Sequence, residues 1–323
     1  MKSLFAAILA GLVGVSAVAS GAEQASADSC EASGLKVQVL GSGGAELTNA
    51  RAGSGYVVWI GGKARALIDI GNGAAQRFAD SGARTPDLDV ILLSHLHTDH
   101  TADFPVLISA ATLEKRSQPL PLYGPIGNRF APSTVSFVRA LLDNTRGAYR
   151  YLGVVLSPLG KDSFKLEPRE VREERPPPVG ARPEDNDGII EVYANQRLRA
   201  AATYIIHGGY PALAWRIRVG NRNIVFSGDT NGEGINLPHL AQDADLLIAH
   251  HAVPEGAAGV ERYLHMPPSV IGRIAKQARV KRLVLSHRTR ATLGQEDAAL
   301  TAIRANYLGP ATFAEDLNCF VIP

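Results

Sequence analysis

The chain has 323 residues, 46% of them apolar and 20% charged, with a formal net charge of +2. This composition excludes a disordered or low-complexity protein and supplies enough apolar material for one large core. Acidic and basic residues are mixed throughout, so no overall positive field argues for a polyanion partner.

Residues 1–27 open with MKSLFAAILAGLVGVSAVASGA, in which Lys2 precedes a run of small apolar residues and A-x-A-like sites. This is the pattern of a cleaved signal peptide, and the run falls short of the roughly 20 apolar residues of a bilayer span. The expectation is a periplasmic or secreted protein, with residues 28–323 as one domain and no membrane part after signal removal. Cys30 and Cys319 are the only cysteines. An oxidising compartment invites a disulfide between them, with two unpaired thiols as the other reading.

LKVQVLGSGG reads as an alternating strand running into a glycine turn, and GYVVWIGGKARALIDIGNG as a hairpin folded at Gly61-Gly62-Lys63. GAAQRFADSG has helical spacing closed by Gly82, and LDVILLS is a continuous apolar strand of the kind buried on both faces. TADFPVLISAATLEKR predicts a helix provided Pro105 lies in its first turn. LPLYGP follows as a short strand, and PSTVSFVRALLDN as a helix with Pro132 at its start. Residues 164–188 are dominated by proline and by charges of both signs, which predicts a solvated loop insertion; a substrate arm is the other reading.

A second series of strands follows in GIIEVYAN, LRAAATYIIH, ALAWRIRVG, NIVFSGDT and DLLIAHH. The helix PPSVIGRIAKQAR, the strand KRLVLSH, a helix around EDAALTAIRANY and a last strand CFVIP complete the chain. Two strand-rich blocks, each followed by helices, predict an α/β fold: an αββα sandwich of two mixed sheets flanked by helices.

The chemistry concentrates in SHLHTDH, residues 94–100. His95 and His97 fall on one side of an extended segment, while Asp99 and His100 lie past the bend. Imidazoles with a carboxylate suit a borderline divalent cation such as zinc, and iron or manganese also accept these donors. The arrangement recurs: apolar runs also end in His207, Asp229 and His287. Strand ends are rigid and hold coordination geometry closely.

The His-x-His-x-Asp-His run with the later His, Asp and His resembles the metallo-β-lactamase superfamily, most nearly its ribonuclease Z and arylsulfatase-like branch. VQVLGSGG, LIDIGNG, LYGP, HGGYPALAWRI, FSGDT and LVLSHRTR extend the likeness along the chain. The resemblance implies two divalent metal ions. His95, His97 and His207 would hold one, Asp99, His100 and His287 the other, and Asp229 would bridge them alongside a hydroxide. It also implies a proton donor, either His265 or Asp99. β-Lactamases of this fold generally lack the aspartate at the place of Asp229, whereas phosphodiesterase-type members carry it. The branch's His-Glu-Ala stretch reads His250-His251-Ala252 here.

The resulting expectation is an exported dinuclear metal-dependent hydrolase of phosphodiesters or of sulfate or carboxylic esters. A lactonase or β-lactamase and a non-catalytic metal-binding member are the alternatives. An exported enzyme would meet a small-molecule anionic ester rather than nucleic acid, and the resemblance implies a homodimer, as family members often form. His239 is placed at the surface. Arg288 and Arg290 are read as solvated charges, or as contacts to an anionic substrate.

Overall fold

The computed structural model describes residues 34–47, 51–157, 164–172 and 188–323. The segment read as a signal peptide and Cys30 lie outside these residues; Cys319 is disulfide-bonded. Among the described residues no helix is long and apolar enough to cross a membrane.

The first half builds one sheet from β1 (Leu35–Gly41), β2 (Gly55–Ile60), β3 (Lys63–Ile70), β4 (Val90–Leu92), β5 (Leu120–Gly124) and β6 (Leu166–Glu170). The β2–β3 hairpin closes over Gly61 and Gly62, at φ 60° and 74°, with Ile60 paired to Lys63. Two successive left-handed residues make the tight turn whose twist matches that of the strands. Helices α1 (Ala74–Asp80), α2 (Thr98–Thr101), α3 (Phe104–Leu113) and α4 (Thr134–Leu142) follow their strands. Pro105 does fall in the first turn of α3, and the Ser133 side chain caps α4 by accepting from Ser136 N.

The second half supplies β7 (Ile190–Ala194), β8 (Arg199–His207), β9 (Tyr210–Val219), β10 (Arg222–Phe226), β11 (Leu246–His250), β12 (Leu283–Ser286) and β13 (Ala311–Phe313). Their helices are α5 (Asn236–Leu240), α6 (Gly259–Leu264), α7 (Pro268–Gln277) and α8 (Glu296–Arg304). The final strand, β14 (Cys319–Ile322), returns to the first sheet beside β1.

The two seven-stranded sheets run in the orders β14-β1-β2-β3-β4-β5-β6 and β13-β12-β11-β10-β9-β8-β7. Both are mixed, antiparallel at one side and parallel at the other. Alternation along each strand sorts side chains between two interfaces. Val58 and Ile68 face the second sheet's Trp215, Ile217 and Phe226, whereas Val57 and Leu67 face Phe104, Ile108 and Val138 of the helices. The outer face of the second sheet is covered in the same way by α5, α7 and α8 through Leu240, Ile271, Ile274 and Ile303. This is the αββα sandwich that the sequence pattern predicts.

One prediction needs revising. Residues 166–170, placed by their composition in a loop, form β6, which pairs in parallel with β5. As an edge strand it tolerates Pro168, and Leu166 anchors it in the core. Residues 173–187 of that stretch lie outside the described residues.

Candidate metal centre

Each proposed ligand sits at or just beyond a strand's C-terminal end, and both sheets contribute. Residues 94–100 follow β4 in the first sheet; His207 ends β8, Asp229 follows β10, and His287 follows β12 in the second. Two backbone bonds and one from a tryptophan side chain join the sheets at this rim. Leu213 N donates to Ser94 O at 2.9 Å, Arg288 N to Ser42 O at 2.7 Å, and Trp215 Nε1 to Leu93 O at 3.1 Å. Gly71 allows the loop that carries Asp99 to come this close: a Cβ there would lie 2.0 Å from Asp99 O.

The sequence-predicted residues converge on one place. His95 Nε2 and His97 Nδ1 lie 3.0 Å apart, and His207 Nε2 is 3.4 Å from His97 Nδ1. Tetrahedral zinc with bonds of about 2.05 Å places its donors about 3.3 Å from one another, so the three nitrogens fit the corners of such a site. A second set forms on the other side: His287 Nε2 is 3.1 Å and His100 Nε2 is 3.6 Å from Asp99 Oδ2. Asp229 stands between them. Its Oδ2 lies 3.8 Å from His95 Nε2 and from His207 Nε2, while its Oδ1 lies 3.3 Å from His287 Nε2 and 3.7 Å from His100 Nε2.

Partners behind the ligands fix which nitrogen faces inward. His100 Nδ1 lies 2.8 Å from Asp69 Oδ2, and that carboxylate also accepts from Ser94 N and Ser94 Oγ, each at 2.7 Å. His100 Nε2 is left buried with no hydrogen-bond partner. His207 Nδ1 lies 3.0 Å from Leu264 O, which orients Nε2 toward the cluster. Such outer bonds set tautomer and ring orientation in metal sites. A buried imidazole nitrogen held in place and engaged in no hydrogen bond is free to ligate, so the donor set fits a divalent metal.

The electrostatics agree. Burial and the neighbouring imidazoles push His95 and His97 below the ordinary histidine range, toward the neutral ligating form. Burial alone would raise Asp229 and Asp99, yet His287 and His100 hold both carboxyls well below their usual range. The same carboxylates raise His100 and His287 against the opposing effect of burial. This side of the site therefore draws positive charge, which a divalent cation would supply.

His265 lies at the margin, its Nδ1 3.9 Å from Asp229 Oδ2, and burial lowers its pKa to about 4. His250 is a participant that sequence reasoning did not place. Its Nδ1 lies 2.7 Å from Asp229 Oδ1, and its Nε2 lies 3.0 Å from Tyr56 OH, which in turn contacts Ser286 Oγ at 2.9 Å. With the proton on Nδ1, His250 donates to the carboxylate. The signal was present in the departure at residues 250–252, but not its meaning. His251 points away, against Phe313, with neither ring nitrogen bonded. His239 lies half-buried in α5, outside the cluster. Arg288 is neither solvated nor at the substrate: it is buried, paired with Glu296, and stacked 4.6 Å over Phe313.

The metallo-beta-lactamase superfamily signature matches residues 48–287. The chain is 27% identical over 271 residues to ribonuclease Z of Methanosarcina mazei, covering 78% of this chain and 87% of that protein. It is 27% identical over 315 residues to ribonuclease Z of Haloferax volcanii, covering 90% and 95%. Human tRNase Z, short form, shares the fold with a TM-score of 0.65 at 23% identity, covering 89% of this chain and 99% of that one.

Two expectations are corrected by these findings. Relatives matched over most of their length are ribonucleases, and one structural neighbour is a tRNase, so the exclusion of nucleic acid as a partner does not stand. The periplasmic or secreted location fails with it: it rested on residues 1–27, which lie outside the described residues, while the relatives are ribonucleases Z and nothing in the likeness points to export. With the signature spanning most of the chain and a histidine–aspartate cluster suited to metal, the protein belongs to the metallo-beta-lactamase superfamily and is a metal-dependent hydrolase.

Proposed function

We propose that the chain hydrolyses phosphodiester bonds at a dinuclear centre, with RNA as the substrate class. The observation that carries this reading is Asp229, whose two oxygens reach toward two separate donor sets. A shared carboxylate favours two cations held close together. His95, His97 and His207 would hold one ion, Asp99, His100 and His287 the other, with zinc suited to the nitrogen-rich set. When bound, a pair of divalent cations acidifies water and neutralises charge on phosphoryl oxygens. The relatives' names support the choice of RNA.

The chain's own residues supply the rest. Asp69, Ser94 and Leu264 O orient the histidine ligands, and His250 holds Asp229. Asp99 is kept ionised by its imidazole neighbours against the effect of burial, which suits a ligand and leaves the proton-donor role to His265. His265 is partly exposed and lies within reach of the site. A bound phosphoryl group brings negative charge that favours its protonated form, ready to serve the departing oxygen.

The test is hydrolysis of bis-p-nitrophenyl phosphate and of a short RNA by metal-replete protein, with metal content measured alongside. Close to two equivalents of metal and cleavage of both substrates are expected. Turnover of nitrocefin or acyl-lactones without phosphodiester cleavage would overturn the assignment, as would binding of one equivalent at full activity.

A further inference from the structure

Beside the first histidine set lies a cavity of about 230 Å³ lined by His95, His97, Phe130, Phe137, Tyr210 and Pro211. It is smaller than the roughly 300–1,000 Å³ of typical small-molecule sites, so it accommodates one compact ring system rather than an extended ligand. Tyr210 stands edge-on to His97 with ring centroids 4.5 Å apart, and Phe130 lies 5.8 Å from Tyr210. Both aromatics are open to solvent, Phe130 at 51% and Tyr210 at 37%. Large apolar rings left in water at the mouth of a site mark contact with a partner.

The rings are also held rigidly. Asn128 Nδ2 donates to Gly209 O at 2.7 Å, and Asn128 Oδ1 accepts from Phe130 N at 2.8 Å. A Cβ at Gly209 would lie 2.6 Å from Phe130 Cε2, so that ring packs directly on the backbone of the β8–β9 turn. The loop before α4 and the turn carrying Tyr210 thus form one unit. The exposed Arg129 guanidinium stacks 4.5 Å over Phe130 and brings positive charge to the rim.

We infer that this cavity seats a single nucleobase, that of the nucleotide joined to the scissile phosphate, against the aromatic wall that Phe130 and Tyr210 form together. The inference rests on the phosphodiester reading above. Every base presents a π face, so such a seat is tolerant of sequence. It fixes where the chain is cut, not which base lies beside the cut. Preorganised walls cut the ordering cost of binding.

The experiment compares two esters with the same leaving group, thymidine 5′-p-nitrophenyl phosphate and methyl p-nitrophenyl phosphate. The metal-loaded wild type should favour the nucleoside ester in kcat/KM by about tenfold or more, the scale of one base–aromatic stack. Phe130→Ala should collapse that preference toward one, and Phe130→Trp should retain it. A ratio near one in the wild type, or a ratio unchanged in Phe130→Ala, overturns the seat. Calorimetric binding of adenosine monophosphate and of ribose 5-phosphate gives a readout without turnover. If neither ester is cleaved the phosphodiester reading fails, while the seat is still judged by binding. Tighter binding of the nucleotide that is lost in Phe130→Ala supports the seat; equal binding of the two ligands refutes it.

Discussion

Asp229→Asn is the substitution that most directly tests the centre, because it keeps the side chain's shape and removes its charge. The carboxylate oxygens lie 3.3–3.8 Å from ligand nitrogens of both sets, so either cation would sit within about 4 Å of the charge. At an effective dielectric constant of about 20, a unit charge at 4 Å contributes about 4 kcal/mol per unit of cation charge. Even heavily offset by relaxation, that loss predicts a fall in affinity of about a hundredfold or more for each ion. The assay is metal content by mass spectrometry after dialysis against buffered free zinc, with circular dichroism to verify the fold. Wild type should hold close to two equivalents and Asp229→Asn one or fewer, with phosphodiesterase activity down by at least about a hundredfold. A folded variant that keeps two equivalents at wild-type affinity would falsify the bridging role.

Three further outcomes follow from the geometry. His265→Ala should slow alkyl phosphodiesters by about a hundredfold while slowing p-nitrophenyl esters only a few-fold, since p-nitrophenolate departs without a proton; equal slowing of both argues against a donor there. His251 is buried with its pKa lowered to about 4, so the folded protein stays neutral there while the unfolded chain takes up a proton below about pH 6.5. Its contribution is complete above that pH and is lost as pH falls toward 4, by about 3 kcal/mol. Metal-free His251→Leu should therefore lose about that much less stability than wild type between pH 7.5 and 4.5 in denaturant titrations; parallel curves would show that His251 titrates normally. Tyr56→Phe removes the hydroxyl between His250 Nε2 and Ser286 Oγ and should cost about 1–3 kcal/mol in urea unfolding; a variant as stable as wild type would mean that this hydroxyl contributes nothing.

Much of the candidate centre was legible in the sequence because several of its candidate ligands obey a local rule. Four of the seven close apolar runs, so strand ends announce His95, His207, Asp229 and His287 without knowledge of the fold. His250 ends such a run too, but its partnership with Asp229 forms only when β10 and β11 lie side by side, a tertiary fact. Asp69 was visible inside LIDIGNG but not its task, which depends on a left-handed backbone at φ 55° and on the approach of Ser94 and His100. β6 was hidden because an edge strand with one neighbour can be built from proline and charges. Arg288 misled for the opposite reason: charged residues after a strand are usually solvated, and only α8 brings Glu296 to cover this one. Phe130 and Tyr210, far apart in the chain, carried no signal of their joint wall.

The division of ligands between the two sheets has a mechanical consequence. Three histidines and an aspartate come from the segment after β4, while the remaining donors come from the opposite sheet. Cations held as proposed would therefore clamp the two leaves of the sandwich along one edge, as a hinge pin holds two plates. Binding energy that favours the closed arrangement adds to its stability by mass action. Chelation would thus slacken the grip of one sheet on the other at this rim first, with the far edges still secured by their own apolar packing.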